Sequence, residues 1–174
     1  MKLENSKTNL MKKTLMLTLL VSGAAFAQNY PDKNIKIMQG FAPGGNADAI
    51  ARAVGSEISK SVGQAVVVEA QAGAGGTIAA TTVAKAKPDG YTLLLATGGH
   101  AVAGAIYNNL NYKTVQDFEM VSTITYFPFL IVINAENKIA NFPALLSQAK
   151  TNPGKIAYGT AGIGSTHHLA GELL

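Results

Sequence analysis

The architecture of the chain follows from one segment, FAPGGNADAIAR, which runs from Phe41 to Arg52. It comes after a short apolar run, Ile35 to Met38, and passes through one proline and two glycines before an amphipathic pattern begins at Asn46. This order predicts a strand, a tight loop and a helix N-terminus. The first turn of a helix has backbone N–H groups without internal partners, and glycines let a ligand approach them closely. The segment therefore predicts a site for a carboxylate or a phosphate.

The helix predicted after this loop places Ile50, Val54 and Ile58 on one face, as expected for a helix that lies on a sheet. Asp48 and Arg52 are four residues apart and can form an ion pair, in which Asp48 complements the helix N-terminus. The alternative is that both side chains contact a ligand. Backbone amides are already sufficient to bind a carboxylate, so the sequence favours the ion pair.

The same order of elements recurs downstream. VVVE, which ends at Glu69, is a β-branched run typical of a buried parallel strand. The glycines of Gly73–Gly76 open a helix through Ala86, a turn follows, and Tyr91 to Thr97 is the third strand. Strands and helices that alternate with short connections predict a right-handed parallel α/β sheet.

A further loop, from Thr97 to His100, follows the third strand and precedes a helical stretch through Tyr107. Ligands of open parallel sheets collect beyond the carboxyl ends of the strands, where this loop and the first one both lie. His100 could contact a ligand there, or it could be a solvent-facing or capping residue.

The second half of the chain predicts a new sheet. We expect, in order, a crossing segment near Thr123 to Phe127, a strand from Phe129 to Ile133, a short helix from Phe142 to Lys150 and a strand from Lys155 to Tyr158. The glycine-rich loop GTAGIGST then runs into another helix. Two helix N-termini from two sheets, facing each other, would hold an anion between them.

The N-terminus predicts a secretory signal peptide at residues 1–27, with Met11 as a candidate for the true start. A basic start at Lys12 and Lys13 precedes an apolar run, and small residues lead to a cleavage site after Ala27. The apolar run, about ten residues long, is too short to span a bilayer. We therefore expect no stable membrane insertion after the leader is cleaved.

Composition argues against several classes of function. The chain has 174 residues, 48% of them hydrophobic and 14% charged, which is ample for one domain and short for two. It has no cysteine, so disulfides, zinc thiolate sites and cysteine nucleophiles are excluded. The leader holds four lysines and one glutamate, +3 of the total charge of +4, which leaves +1 for the rest. We therefore expect no nucleic-acid partner.

Other motifs fit poorly. The glycines of the second loop miss the dinucleotide-binding spacing, and no glycine-rich loop has the Lys-Ser/Thr ending of a P-loop. Ser165 lacks the glycine of a nucleophile elbow two residues later. His167, His168 and Glu172 miss the zincin spacing, and adjacent histidines point to different helix faces. The sequence predicts no cofactor and no metal.

The motifs together resemble one family. FAPGGNADAIAR, VGQAVVVEAQAGAGGTIAATTVAKAKPDGYTLL and YGTAGIGSTHHLAGELL, in this order, look like the substrate-binding proteins of tripartite tricarboxylate transporters, or Bug receptors. The similarity covers Tyr30 to Leu174 and implies a periplasmic binding-protein-like α/β fold, with two parallel-sheet lobes and a ligand cleft between them. Residues 28–124 would form the first lobe and residues 125–174 the beginning of a second lobe, truncated here because family members run further.

The resemblance also implies a function. The protein would be a periplasmic solute receptor of a Gram-negative bacterium, a monomer and not an enzyme, that delivers a small carboxylate to membrane transporter subunits. That carboxylate would be a mono- or dicarboxylate, an amino acid or an aromatic acid, held mostly by backbone amides. The implied ligand contacts are Phe41, Gly44, Gly45, Asn46, Ala47 and Asp48 in the first lobe, Thr97 and His100 in the facing loop, and Gly162, Gly164, Ser165, Thr166 and His167 in the second lobe.

One departure from the family pattern bears on these contacts. Ala47 stands where a threonine or serine is usual, so one hydroxyl contact is missing from the implied set. Two alternative functions stay open. One is a periplasmic hydrolase that acts on a carboxylate-bearing substrate with Ser165 and a histidine, and the other is a receptor that feeds a sensor kinase. An alanine at position 165 would only weaken binding in a receptor, but would abolish turnover in the hydrolase.

Overall fold

The computed structural model describes residues 30–174, so the predicted signal peptide at residues 1–27 lies outside the described part of the chain. Strands and helices alternate through the first half, and two further helices follow in the second. In chain order the elements are β1 (Ile35–Gln39), α1 (Asn46–Val62), β2 (Val66–Ala70), a short 3-10 turn (Ala74–Gly76), α2 (Thr77–Ala84), β3 (Thr92–Leu95), α3 (Gly98–Ile106), α4 (Phe142–Thr151) and α5 (Thr166–Glu172).

The three strands form a parallel sheet in the order β2-β1-β3, which confirms the parallel α/β prediction for the first half of the chain. At the carboxyl end of the sheet, Gln39 of β1 pairs with Ala70 of β2 and with Leu95 of β3. The three strands therefore end at one level. The loop before α1, the GAGG turn before α2 and the loop before α3 all leave the sheet at this edge, where ligands of open parallel sheets bind.

The core lies along the central strand, where Ile37 and Met38 are almost completely buried. Helix α1 packs on the sheet through a face that carries Ala51 and Gly55, both buried. A Cβ atom on Gly55 would lie 3.1 Å from Val66 Cγ1, so the helix backbone comes close to β2. A larger residue at position 55 would therefore push the helix away from the sheet.

The helix packs on the sheet as predicted, but Ile50, Val54 and Ile58 are each only half-buried, so they do not form the centre of the contact. A helix with small residues on one face can approach a sheet more closely along that face. The larger aliphatic side chains then lie to the side of the contact. Two of them, Ile50 and Val54, line an open groove together with residues of the segment that follows β3 and α3.

The strands predicted at Phe129–Ile133 and Lys155–Tyr158 are not formed, and residues 118–134 contain neither helix nor strand. The first of these segments is apolar but exposed, with Leu130 at 80% and Val132 at 82%. A strand needs a hydrogen-bonded neighbour, and none lies beside either segment among residues 30–174. The second half of the described chain therefore contributes helices without a sheet of its own.

Both helices of the second half begin where the sequence places them. Asn141 caps α4 by accepting a hydrogen bond from the Ala144 amide at 3.0 Å, and a proline stands in its first turn. Ser165 caps α5 in the same way, accepting from the His168 amide at 3.2 Å. Among residues 30–174, no helix combines the length and the hydropathy that crossing a bilayer requires.

Candidate ligand-binding site

The loop between β1 and α1 is fixed from inside by two buried side chains. Gln39 Oε1 accepts a hydrogen bond from the Phe41 amide at 2.8 Å, and Asp48 Oδ2 accepts one from the Gly44 amide at 3.0 Å. Gln39 is completely buried, and Asp48 is 5% exposed. These two hydrogen bonds come from the chain itself, so they restrain the loop conformation from within, and such restraint lowers the entropic cost of binding.

Asp48 also forms an ion pair with Arg52, whose Nε lies 2.9 Å from Asp48 Oδ2. The Arg52 hydrogen bond, followed by that of the Gly44 amide, lowers the pKa of Asp48 below its ordinary value, so the carboxyl group is ionised near neutral pH. The Asp48 side chain is 6% exposed and that of Arg52 is 60% exposed. This geometry favours the interpretation of Asp48 as a support for the loop, with Arg52 as its surface partner.

The start of α1 offers backbone donors to a ligand. Gly45 is the N-cap residue, in an extended conformation, and no side chain caps the helix. The first helix-type bond runs from the Ala49 amide to the Gly45 carbonyl at 3.0 Å. The amides of Asn46, Ala47 and Asp48 precede it and have no helical partner, so they remain available for an anion.

The loop after β3 contributes a second helix start, at Thr97, the N-cap of α3, again without a side-chain cap. His100 is used in packing. Its Nε2 lies 2.8 Å from the Thr114 carbonyl oxygen, and its ring stacks on Tyr112 with 5.7 Å between centroids and meets the edge of Phe118 at 4.8 Å. These contacts join α3, to which His100 belongs, to the segment that follows it. The geometry therefore favours a structural role for His100 over a ligand contact.

The second glycine-rich loop lies against the GAGG turn and the start of α3, both of which follow strands at the carboxyl end of the sheet. Gly164 and Ser165 are buried, Ser165 at 1% exposure, whereas Gly162 and His167 are exposed. The Ser165 hydroxyl is occupied as the cap of α5. The ring of His167 meets the edge of Phe129 at 4.8 Å between centroids, away from the buried part of the loop.

The second glycine-rich loop meets the first half of the chain at two places, the GAGG turn before α2 and the start of α3. A Cβ atom on Gly75 would lie 2.7 Å from the carbonyl carbon and oxygen of Gly164, and one on Gly98 would lie 2.8 Å from Thr166 Cγ2. Beside this contact is a cavity of about 10 Å³, which has the size of one water molecule. Its walls are Gly40, Phe41, Gly75, Gly76, Leu94, Leu95, Ala96, Thr97 and His100.

The predicted site residues thus fall into three groups. Phe41, Thr97 and His100 line the small cavity, and Gly164, Ser165 and Thr166 pack beside it. Asn46 lies instead at an open groove of about 350 Å³, whose other walls are Ile50, Ala53, Val54, Ile124, Thr125 and Phe127. The remaining members of the set, at the start of α1 and in the exposed part of the second loop, are Gly44, Gly45, Ala47, Asp48, Gly162 and His167.

Sequence reasoning missed the GAGG turn as part of this arrangement, because its glycines were assigned only to the start of a helix. Three glycines in four residues directly after a strand were a usable signal, since that turn leaves the sheet at the same edge as the other two loops. Tyr107 was missed as well. Its hydroxyl donates to the Ile163 carbonyl at 3.2 Å and no motif marks it.

The surroundings of Ser165 do not favour a catalytic role for its hydroxyl group. The Ser165 Oγ is buried and accepts a hydrogen bond from the His168 amide, and the His168 ring is directed to Glu172, with Nε2 3.8 Å from Glu172 Oε1. The Tyr158 hydroxyl also donates to Glu172, and this bond raises the pKa of Tyr158. No group of three or more potential metal-ligating side chains comes together in residues 30–174.

Comparison with known proteins places this geometry in a family. The family model described as tripartite tricarboxylate transporter family receptor matches residues 50–174. BugT of Bordetella pertussis is 36% identical over 155 residues, which cover 88% of this chain and 48% of BugT. A UPF0065 protein from the TAR-I ttuE-ttuC' intergenic region of Agrobacterium vitis is 42% identical over 160 residues, which cover 92% of this chain and 46% of that protein.

The solved structures that match this chain include a periplasmic transporter and a periplasmic binding protein. The periplasmic binding protein BugD matches with a TM-score of 0.70 and 34% identity, over 83% of this chain and 48% of BugD. Rpa4515 of R. palustris, solved with adipate, matches with a TM-score of 0.78 and 33% identity, over 83% of this chain and 49% of that one. The chain spans about half the length of the relatives it matches.

These matches confirm the periplasmic binding-protein-like α/β fold predicted from the sequence motifs. The family model and the printed names describe receptors and binding proteins, so the receptor class is also confirmed at the level of the family, against that of an enzyme. The chain belongs to the family of tripartite tricarboxylate transporter receptors, the family of the Bug proteins.

Proposed function

We propose that this chain belongs to an extracytoplasmic receptor that captures a small mono- or dicarboxylate and delivers it to the membrane subunits of a tripartite tricarboxylate transporter. The observation that carries the proposal is the start of α1, where three successive amides follow an uncapped glycine. A helix start of this kind attracts an anion through both its unpaired N–H groups and its dipole.

The charges around the site favour one or two carboxylates over a more highly charged ligand. The cation nearest to the start of α1 along the chain is Arg52, and it is paired with Asp48. Neither glycine-rich loop contains a lysine or an arginine of its own. A tricarboxylate would need several charge-assisted partners, as arginines commonly supply them. Backbone amides are sufficient for a single carboxylate group at each helix start.

The groove beside Asn46 offers space for the body of such a ligand. Its volume, about 350 Å³, is at the lower end of the range for small-molecule pockets, and most of its walls are aliphatic or aromatic. A carboxylate at the first turn of α1 would direct an aliphatic or aromatic body along this groove. The adipate in the solved relative, Rpa4515, has this chemical form, two carboxylates joined by methylenes.

Isothermal titration with matched compounds tests the proposal. We expect adipate and hexanoate to bind, and adipamide, which has the length of adipate without its charges, to give no heat of binding. Binding of adipamide as tight as that of adipate would contradict a site built for anions. Binding of none of the three by a cooperatively folded protein would overturn the aliphatic carboxylate as the ligand class.

Export to the periplasm is part of the same proposal. It is supported by the leader pattern at residues 1–27 and by relatives described as periplasmic. Expression of the whole chain in a Gram-negative host, followed by mass spectrometry of the periplasmic fraction, should give a protein that begins at Gln28. An uncleaved protein found only in the cytoplasm would contradict export by this leader.

A further inference from the structure

We infer that Gly75 is a positioning residue: its missing side chain lets the second glycine-rich loop dock on the loops of the first half. The surface on which it docks, which we call the glycine seat, consists of Gly75, Gly98 and Gly99. The docked residues are Gly164, Ser165 and Thr166. This inference concerns how the two loops come together, and it goes beyond the proposed function, which concerns what they bind.

At Gly75 and Gly99 the contacts are with backbone atoms, whereas at Gly98 the contact is with the Thr166 side chain. A Cβ atom on Gly75 would lie 2.7 Å from the carbonyl carbon and oxygen of Gly164 and 3.2 Å from the Ser165 nitrogen. A Cβ atom on Gly99 would lie 3.1 Å from the Gly75 oxygen and 3.4 Å from the Gly164 oxygen. Backbone atoms cannot swing aside as the end of a side chain can, so a methyl group on Gly75 must force the loops apart, and one on Gly99 must displace the Gly75 carbonyl by a few tenths of an ångström.

Burial is centred on Gly75 and the docked backbone, because Gly98 at the edge of the seat is exposed and Thr166 is half-buried. Gly75, Gly99, Gly164 and Ser165 are all buried, while Ile163, directly before the docked residues, is 73% exposed. The second loop therefore touches the first half of the chain over a short length of backbone. A contact of this size can open and close, because it buries little apolar area.

One hydrogen bond helps to hold the docked loop. The Tyr107 hydroxyl, at the end of α3, donates to the Ile163 carbonyl at 3.2 Å, and the Tyr107 ring packs against the Gly164 backbone. No ion pair joins the second loop to the seat among residues 30–174. Docking consequently depends on close fit and on this hydroxyl, and not on charge.

Hydrogen exchange of the whole chain without ligand tests the inference. In Gly75→Ala, we expect the amides of Gly164 and Ser165 to exchange about tenfold faster, because a docked loop opens more often. Gly63→Ala is the matched control. Gly63 has φ +71° and Gly75 has φ +63°, so alanine meets the same backbone strain at both, but nothing lies within 4 Å of a Cβ atom on Gly63. Equal exchange at Gly164 and Ser165 in the two variants would overturn the inference.

Two further variants keep the test decisive if Gly75→Ala does not fold. Gly99 lies inside α3 and has no left-handed φ, so Gly99→Ala adds a methyl group at the seat without backbone strain. Tyr107→Phe removes only the hydroxyl. Both should raise exchange at Gly164 and Ser165 while β1 amides keep their wild-type rates. Unchanged exchange at the docked residues in both would contradict the seat.

A carboxylate titration on the same variants separates this inference from the proposed function. If the loops must dock to enclose a ligand, Gly75→Ala weakens adipate binding relative to Gly63→Ala. If adipate binds neither the wild type nor any variant, the proposed ligand class fails, and the exchange result still decides the role of Gly75.

Discussion

Asp48 accepts a hydrogen bond from the amide of Gly44, four residues earlier, at 3.0 Å. A side chain from the first turn of α1 thereby fixes the loop that leads into the helix. The same oxygen pairs with Arg52 at 2.9 Å. A residue that looks like a ligand contact because it stands in the binding motif is thus engaged in holding the motif together.

The first prediction concerns this support. Asp48→Ala leaves the Gly44 amide without its acceptor and Arg52 without its partner, so we expect a clearly lower melting temperature. Arg52→Ala should lower it less, because the Arg52 side chain is 60% exposed and the Asp48 bond to Gly44 survives. Thermal unfolding by circular dichroism measures both. Equal melting temperatures in Asp48→Ala and wild type would show that the loop does not depend on Asp48.

The second prediction concerns pH. The pKa of Asp48 in the folded state is below its ordinary value of 3.8, chiefly because of the Arg52 hydrogen bond. Its ionised form therefore stabilises the fold above pH 3.8, and this contribution is lost as the pH falls through the lowered pKa. Asp48→Asn lacks it at every pH. In urea titrations, the stability difference between wild type and Asp48→Asn should shrink below about pH 3.8, and a constant difference down to pH 2 would contradict this account.

The third prediction concerns Gln39, whose amide group also contributes to the lowered pKa of Asp48. Gln39→Glu keeps an acceptor for the Phe41 amide but buries a second carboxylate near Asp48. Like charges at a buried site raise the pKa of one of the two groups. We expect Gln39→Glu to be less stable than wild type at pH 7 and to recover part of the loss at pH 5. A loss that does not depend on pH would show that the two carboxylates do not interact.

The fourth prediction separates the two interpretations of His100. Its stacking on Tyr112 and its bond to the Thr114 carbonyl assign it to packing. His100→Ala should therefore cost about 1 kcal/mol or more in stability, and His100→Phe should restore much of that through the aromatic contacts. Adipate affinity should differ little between His100→Phe and wild type. A tenfold weaker affinity in a stable His100→Phe protein would identify His100 as a ligand contact instead.

The first half of the fold could be predicted from the sequence because its signals are local. The β-branched run at β2, the glycines before the helices and the turn before β3 each mark one element, and parallel order follows from short connections. The buried face of α1 could not be predicted in this way. Hydrophobic spacing marked Ile50 and Val54, but Ala51 and Gly55 allow the closer approach to the sheet.

In the second half of the chain, the strand prediction failed for a different reason. Phe129–Ile133 has the composition of a strand, but a strand forms only when a second segment pairs with it, and no segment among residues 30–174 does so. The glycine seat could not be predicted from the sequence either. Gly75 and Gly164 are far apart along the chain, and only three-dimensional packing brings their backbones together. The ligand-contact residues implied by family resemblance remain predictions.

The central claim, that backbone amides at the start of α1 bind a carboxylate, can be tested by removing one amide. Asn46 is the first residue of the helix, where proline is tolerated, and Gly45 before it already has the extended conformation that proline requires. Asn46→Pro deletes the N–H group, and Asn46→Ala keeps it while removing the same side chain. In isothermal titration with adipate, we predict that Asn46→Pro binds about tenfold more weakly than Asn46→Ala at an unchanged melting temperature. Equal affinities in the two variants would contradict the claim.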